Sequence, residues 1–245
     1  MLMELLYNAD TNEQEFTLTD AILILAIDQE KPIFSFLSFS VFSAAFTSVL
    51  IELDAAGIVE FKGIRKNLLD KSPELRVQSG LPPAYISCKA VYDAITESKQ
   101  QTIEDVASAF LTDITGSRLN QFAAERKARL ISLGVLEQST TKGWLGREST
   151  KETVKAECVD RIIEELRAEL LEPGCPSDEA IILTRLLEKS GLLKHYFSAH
   201  EETQLEQRVD QSIQALEGQP AGKILGETDD LILYIFSLIF TTFMA

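Results

Sequence analysis

The 245-residue chain is poor in the residues that form disulfide bonds or bind a metal ion. It has three cysteines and two histidines. The cysteines are odd in number, widely spaced and form no Cys-x-x-Cys pair, so they indicate neither a disulfide framework nor a zinc site. His195 and His200 are five residues apart, which places them about 140° apart around a helix and on different faces. The sequence therefore predicts no metal and favours a reducing, cytoplasmic compartment.

Basic residues are also scarce. The chain has 23 Lys and Arg against 38 Asp and Glu, a formal net charge of −15. A nucleic-acid-binding protein neutralises phosphates with clustered basic side chains, and surrounding negative charge opposes that contact. We therefore exclude nucleic acid as a partner and expect any anionic partner to require a local basic patch.

Motifs that carry catalysis are missing as well. The sequence contains no glycine-rich phosphate loop, no nucleophile elbow and no helical His-Glu-x-x-His motif. We accordingly predict no catalytic residues and no cofactor. A small-molecule site or an enzyme built on a cavity beside an apolar helix stays open as an alternative, although no set of converging polar groups is evident for it.

Two apolar stretches invite comparison with membrane spans. Residues 231–245 fall short of the roughly 20 residues that a spanning helix needs, and residues 32–53 carry repeated hydroxyls and a glutamate, Glu52. Both stretches are better interpreted as core helices. The N-terminal residues lack the basic start and cleavage site of a signal peptide, so secretion is not expected.

Helical spacing of apolar residues recurs along almost the whole chain, and strand-like alternation is confined to short pieces. The fold class expected is mainly α: a single globular helical domain over residues 1–245, with a flexible N-terminus at 1–15, a long buried apolar helix and two small β-hairpins. The predicted helices begin with a first helix opened by a Thr17 and Asp20 capping box and the apolar helix 32–53 stopped by Gly57. Further helices are predicted at 84–97, from the cap Thr102 to 114, at 117–133, at 149–171 opened by a Ser149 and Glu152 box, after Ser177, at 201–216, and at the C-terminal end, where Thr228 is the cap.

The two hairpins are predicted from alternation and glycines. The first runs over residues 59–69 with its turn at Gly63, and a linker follows at 72–83. The second hairpin, or a projecting loop, covers 135–148. It carries Trp144 and Leu145 between two glycines, an apolar wedge that can enter a bilayer interface, lock into a neighbouring subunit or fold back on its own core.

The few basic residues cluster in two places. Lys62, Arg65 and Lys66 surround the turn of the first hairpin. Arg126 and Arg129 are three apart on one side of the helix 117–133, a spacing suited to holding a phosphate between two guanidinium groups. Pairing of these residues with the many carboxylates of the chain is the alternative.

Several pieces of the sequence, in the same order, resemble the Golgi phosphoprotein 3 family of peripheral membrane proteins. The pieces are FTLTDAILILA at 16–26, LIEL at 50–53 followed by Gly57, GIRKNLL at 63–69, and RL at 129–130 followed by GVL at 134–136. The resemblance implies a largely helical domain, a second hairpin that mediates self-association, and a non-enzymatic adaptor role. It also implies binding to phosphatidylinositol 4-phosphate and to the cytoplasmic tails of client glycosyltransferases.

The lipid site implied by the resemblance is altered in this chain. The four positions that carry an indole and three arginines in the family fall on Leu37, Phe46, Asn120 and Ala123. None of these side chains supplies a positive charge, so the usual phosphoinositide pocket is not expected. Arg126 and Arg129, further along the same helix, would rebuild a weaker anion site.

Two functions are therefore weighed. The first is a non-catalytic, cytoplasmic or peripheral membrane adaptor that contacts an anionic surface and protein clients. The alternative is a soluble protein–protein scaffold that forms a homo-oligomer through the 135–148 hairpin without lipid binding.

Overall fold

The computed structural model describes residues 16–29, 39–62, 73–113, 115–142, 148–215 and 220–244. Within these ranges the chain is a helical domain with two small antiparallel sheets, and its buried apolar side chains form one core. The elements are α1 (Leu18–Asp28), α2 (Phe39–Ala55), β1 (Val59–Lys62), β2 (Glu74–Val77), a 3-10 segment (Pro83–Cys88), α3 (Lys89–Glu97), α4 (Ile103–Leu111), α5 (Ser117–Ser132), β3 (Leu136–Lys142), β4 (Glu148–Val154), α6 (Ala156–Leu171), α7 (Asp178–Ser190), a 3-10 turn (Leu193–His195), α8 (Ala199–Ala215) and α9 (Pro220–Met244).

The expected capping box opens α1. The Asp20 amide donates to Thr17 Oγ1 at 3.3 Å, and the Thr17 amide donates to Asp20 Oδ2 at 3.1 Å. These bonds satisfy two backbone donors that the first helical turn leaves without partners. The prediction of this helix start is confirmed.

The apolar helix α2 is buried as expected, from Val41 to Leu53. It packs against α1, α7 and α9. Its buried hydroxyls donate to carbonyls of the preceding turn, for example Thr47 Oγ1 to Ser43 O at 2.7 Å, so serine and threonine are tolerated there. Gly57 ends the turn after α2 with φ of 65°, a left-handed conformation that glycine adopts without a Cβ clash. Residues 32–38 of the predicted helix lie outside the described residues.

The first hairpin exists, but the prediction that residues 72–83 form only a linker is wrong, and the predicted second strand at 64–69 lies outside the described residues. Val59 pairs with Val77 and Lys62 with Glu74, so β1 is bonded to a strand in the stretch predicted as a linker. Residues 63–72 lie outside the described part of the chain. The pairing therefore spans a longer connection than the turn at Gly63 that local alternation suggested.

Two helix starts also differ from prediction. Ser149 and Glu152 lie in β4, which pairs with β3 from Leu136 opposite Val154, and α6 begins only at Ala156. The spacing of a capping box is present, but cross-strand pairing decides the conformation. At the C-terminal end, α9 begins at Pro220, so Thr228 lies inside the helix instead of capping it.

None of the described helices is long and apolar enough to cross a membrane.

Candidate functional site

Arg126 of α5 points into the protein. It is 1% exposed, and its guanidinium group meets the end of the 3-10 segment and the buried face of α2. Nη1 donates to Ser87 Oγ at 3.4 Å and Nη2 to Cys88 Sγ at 3.1 Å. The nearest carboxylate oxygen, Glu52 Oε2, lies 3.6 Å from Nη2, which is an ion pair without a short hydrogen bond. Arg126 Nε is buried without a partner in the described part of the protein.

Glu52 is held by helix α1. It is 6% exposed, and its Oε1 accepts hydrogen bonds from the Thr19 amide at 2.8 Å and the Thr19 hydroxyl at 2.7 Å. The Thr19 and Ser48 hydroxyls are themselves 2.7 Å apart. Glu52 therefore uses one oxygen to tie α1 to α2 and the other to balance the charge of Arg126, as a buried ion requires.

Arg129 lies one turn further along α5 and pairs with Asp20, the same residue that caps α1. Its Nε donates to Asp20 Oδ1 at 3.0 Å and Oδ2 at 2.8 Å, and its Nη2 lies 2.8 Å from Oδ2. The Asp20 side chain is fully buried, whereas that of Arg129 is 23% exposed. Asp20 thus occupies the Nε edge of the guanidinium group, and Arg129 Nη1 has no partner among the described residues.

Cys88 is an unusual neighbour for a buried arginine. Burial raises the pKa of its thiol to about 11, although the charge of Arg126 acts in the opposite direction. The neutral thiol is a weak acceptor, so Arg126 keeps its position mainly through the ion pair with Glu52.

The positions of the family's lipid site are occupied differently. Phe46 is fully buried, with its ring centroid 5.6 Å from that of Phe110 and 5.7 Å from that of Phe42. Asn120 is exposed and Ala123 is half-buried on α5, and Leu37 lies outside the described residues. An aromatic cluster therefore fills the place of one arginine, and no described side chain at these positions is cationic.

The remaining predicted residues are only partly described. Lys62 ends β1 and lies 3.7 Å from Glu60, with 40% of its side chain exposed. Arg65 and Lys66, and the wedge residues Trp144 and Leu145, fall outside the described residues. Arg126 and Arg129 are brought together in one polar cluster, and for these two and Lys62 the alternative of pairing with carboxylates holds.

Sequence reasoning missed the acidic half of this cluster. Glu52 was used to argue against a membrane span and Asp20 as a cap, and neither was matched to an arginine. A lone carboxylate within a buried apolar run was the available signal, because such a group needs a cationic or donor partner. Elsewhere among the described residues, no group of three or more His, Cys, Asp and Glu is arranged to hold a metal.

The family profile described as Golgi phosphoprotein 3 (GPP34) matches residues 18–228. No curated protein matches the chain.

Proposed function

The chain belongs to the Golgi phosphoprotein 3 family, and we propose that it is a non-catalytic adaptor that contacts anionic membrane surfaces through Arg129 and the basic stretch beginning at Lys62. The supporting observation is the position of Arg129, whose side chain pairs with the buried Asp20 and is still 23% exposed to solvent. On the proposed surface, Arg129 supplies the contact to lipid head groups, while protein clients bind elsewhere on the molecule.

The chemistry of the guanidinium group makes this dual role feasible. A guanidinium presents five donors in a planar fork, and two different edges can each meet a two-oxygen acceptor. Asp20 takes the edge formed by Nε and Nη2. The edge formed by Nη1 and Nη2 remains for a phosphate or carboxylate oxygen of a lipid.

The same geometry limits the strength and the selectivity of the contact. Asp20 balances the charge of Arg129, and the chain as a whole carries a formal charge of −15. Arg126 is 1% exposed and bound to Glu52 and Cys88, so we assign it to holding α5 against α2 and not to a lipid. The proposed contact therefore attracts negative charge weakly and does not enclose a particular head group.

Flotation with vesicles containing phosphatidylserine tests the proposal, at low salt because exposed charges are screened at high salt. One basic residue near an anionic surface contributes about 1 kcal/mol, so Arg129→Ala should lower vesicle binding about fivefold. Asp20→Asn should raise it by a similar factor, because the charge of Arg129 is then no longer balanced. Arg118→Ala is the matched control, since Arg118 lies on the same helix, is 31% exposed and also pairs with a carboxylate, Glu97.

Thermal melting must show that each variant is folded. Absence of wild-type binding at low salt, or equal loss in Arg118→Ala and Arg129→Ala, would refute the role given to Arg129.

The second candidate is a scaffold that self-associates through the 135–148 hairpin. It is favoured by the sheet of β3 and β4, which has only two strands in the described residues and therefore two outer edges whose amides and carbonyls can pair with another chain. Sedimentation equilibrium on the wild-type and a Trp144→Ser variant tests this candidate. A strict monomer at high concentration contradicts it, and a dimer that dissociates in the variant supports it.

A further inference from the structure

Residues 77–88 form an uncharged strip on a highly charged protein. A quarter of the whole chain is Asp, Glu, Lys or Arg, yet none of these residues occurs between Arg76 and Lys89. The part of the strip over residues 81–86, which we call the apolar tip, has only apolar or aromatic side chains. Leu81 and Tyr85 are half-buried, and Pro82, Pro83, Ala84 and Ile86 are exposed. Ile86 is 58% exposed, although isoleucine is among the residues most often buried.

The backbone of the apolar tip has few donors that need water. Pro82 and Pro83 have no N–H group. The Tyr85 amide donates to the Pro82 carbonyl at 2.9 Å, and the Lys89 amide donates to the Ile86 carbonyl. Unpaired amides are expensive in an apolar medium, whereas a backbone with satisfied donors leaves water at a lower cost. The tip therefore meets a main requirement for entering an apolar environment.

Helix α5 holds the apolar tip next to Arg129. Arg126 donates to Ser87 and Cys88 at the C-terminal end of the 3-10 segment. The next turn of α5, which carries Arg129, therefore lies beside the preceding turn of that segment, which carries Tyr85. Burial raises the pKa of the Tyr85 hydroxyl and the charge of Arg129 acts in the opposite direction, so the two side chains are neighbours. An exposed apolar group and a cation are thus combined at one place on the surface.

This combination fits one kind of partner best. A lipid interface presents anionic groups directly above an apolar layer, and a cation beside an apolar side chain matches that order. A second copy of the chain would bring a further charge of −15 and be repelled by the first. From the juxtaposition of Ile86 and Arg129 we propose that the apolar tip inserts into the interface of an anionic membrane. Ile86 enters the acyl region and Arg129 stays among the head groups, so this inference rests on the membrane contact proposed above for Arg129.

Tryptophan fluorescence tests the insertion directly. Ile86→Trp is made on a Trp144→Phe background, so that position 86 carries the only tryptophan of the chain. The probe is a vesicle of phosphatidylcholine and phosphatidylserine, with and without bromine atoms on the acyl chains. We expect the emission of Ile86→Trp to shift to the blue when vesicles are added and to be quenched by the brominated lipid.

Ile131→Trp on the same background is the matched control. Ile131 is also an exposed isoleucine, at 45%, and it lies two residues from Arg129 on α5, about 160° away around the helix. Its emission should show neither the blue shift nor the quenching.

Vesicle flotation of Ile86→Ser gives a second, independent measurement. Removing a half-exposed isoleucine from the contact should lower binding about fivefold. Because salt screens exposed charges but not apolar contacts, this factor should stay the same at raised salt, whereas the effect of Arg129→Ala should shrink.

The outcomes separate this inference from the membrane proposal itself. Binding of the wild-type protein without a shift or quenching at position 86 overturns the insertion and leaves the contact of Arg129 standing. Equal signals from Ile86→Trp and Ile131→Trp, or full binding by Ile86→Ser, also overturn it. A blue shift that grows with protein concentration in the absence of vesicles would place a second copy on the tip instead of a membrane. Absence of wild-type binding at low salt refutes both proposals.

Discussion

Neutralising Glu52 is expected to destabilise the protein strongly. In Glu52→Gln the side-chain carbonyl can still accept from Thr19, at the 2.8 and 2.7 Å distances seen for Oε1, but the charge facing Arg126 is lost. Arg126 then remains 1% exposed with only a thiol and a hydroxyl as partners. Breaking one side of a buried ion pair costs about 3–5 kcal/mol.

For a protein of this size, a loss of 1 kcal/mol in the free energy of unfolding lowers the melting temperature by about 2–4 °C, so the melting temperature of Glu52→Gln should fall by about 6–20 °C.

Urea unfolding of Glu52→Gln, Arg126→Met and the double variant gives the coupling energy of the pair. Because the double variant leaves no uncompensated charge, it should be at least about 2 kcal/mol more stable than the sum of the single effects predicts. Glu97→Gln, which breaks the exposed pair with Arg118, should cost less than about 1 kcal/mol. Additive effects of the two buried variants, or equal costs for Glu52→Gln and Glu97→Gln, would refute the importance given to the buried pair.

Three further outcomes are expected. Burial raises the pKa of the Cys88 thiol from about 9 to about 11, so the neutral thiol stabilises the folded state fully below pH 9, and this stabilisation, about 3 kcal/mol in all, is lost as the pH rises to 11. Urea unfolding between pH 8 and 11 should therefore show a shallower decline in stability for Cys88→Ser, and an unchanged decline contradicts this. Phe46→Arg restores the residue type that the family resemblance implies at this position. The variant should bury an unpaired charge beside Phe42 and Phe110 and abolish folding, as judged by circular dichroism. A folded variant that gains vesicle binding would instead show that the family's phosphoinositide pocket is still available. Gly191→Ala should lower the unfolding free energy by about 1 kcal/mol, because Gly191 ends α7 with φ of 70°, whereas Gly80→Ala, at a glycine of negative φ with open space around it, should be neutral.

Local patterns in the sequence predicted the elements that depend on local interactions. The capping box of Thr17 and Asp20, the cap of α4 at Thr102 and the glycine stop after α2 each involve residues within a few positions of one another. The burial of α2 followed from its uncharged composition. For these features, the hydrogen bonds in the structure are the ones that the sequence spacing implies.

Features that depend on distant pairing were not predictable in this way. Strand β2 has only four residues, and its identity depends on bonds to β1 across the intervening residues 63–72. Ser149 and Glu152 have the spacing of a capping box, yet they lie in a strand because β4 pairs with β3. Arg126 and Glu52 are 74 positions apart in sequence, and no spacing rule relates them. The sequence therefore located the arginines but could not reveal which carboxylates they meet.

The main proposal is that this family member contacts an anionic surface through Arg129 without a pocket for a particular head group. The most direct test compares its affinity for vesicles containing phosphatidylinositol 4-phosphate and vesicles containing phosphatidylserine at equal surface charge. With Phe46 buried in an aromatic cluster and Arg126 bound to Glu52, the two affinities should agree within about threefold. A preference of about tenfold or more for the phosphoinositide, equivalent to about 1.4 kcal/mol, would contradict the claim.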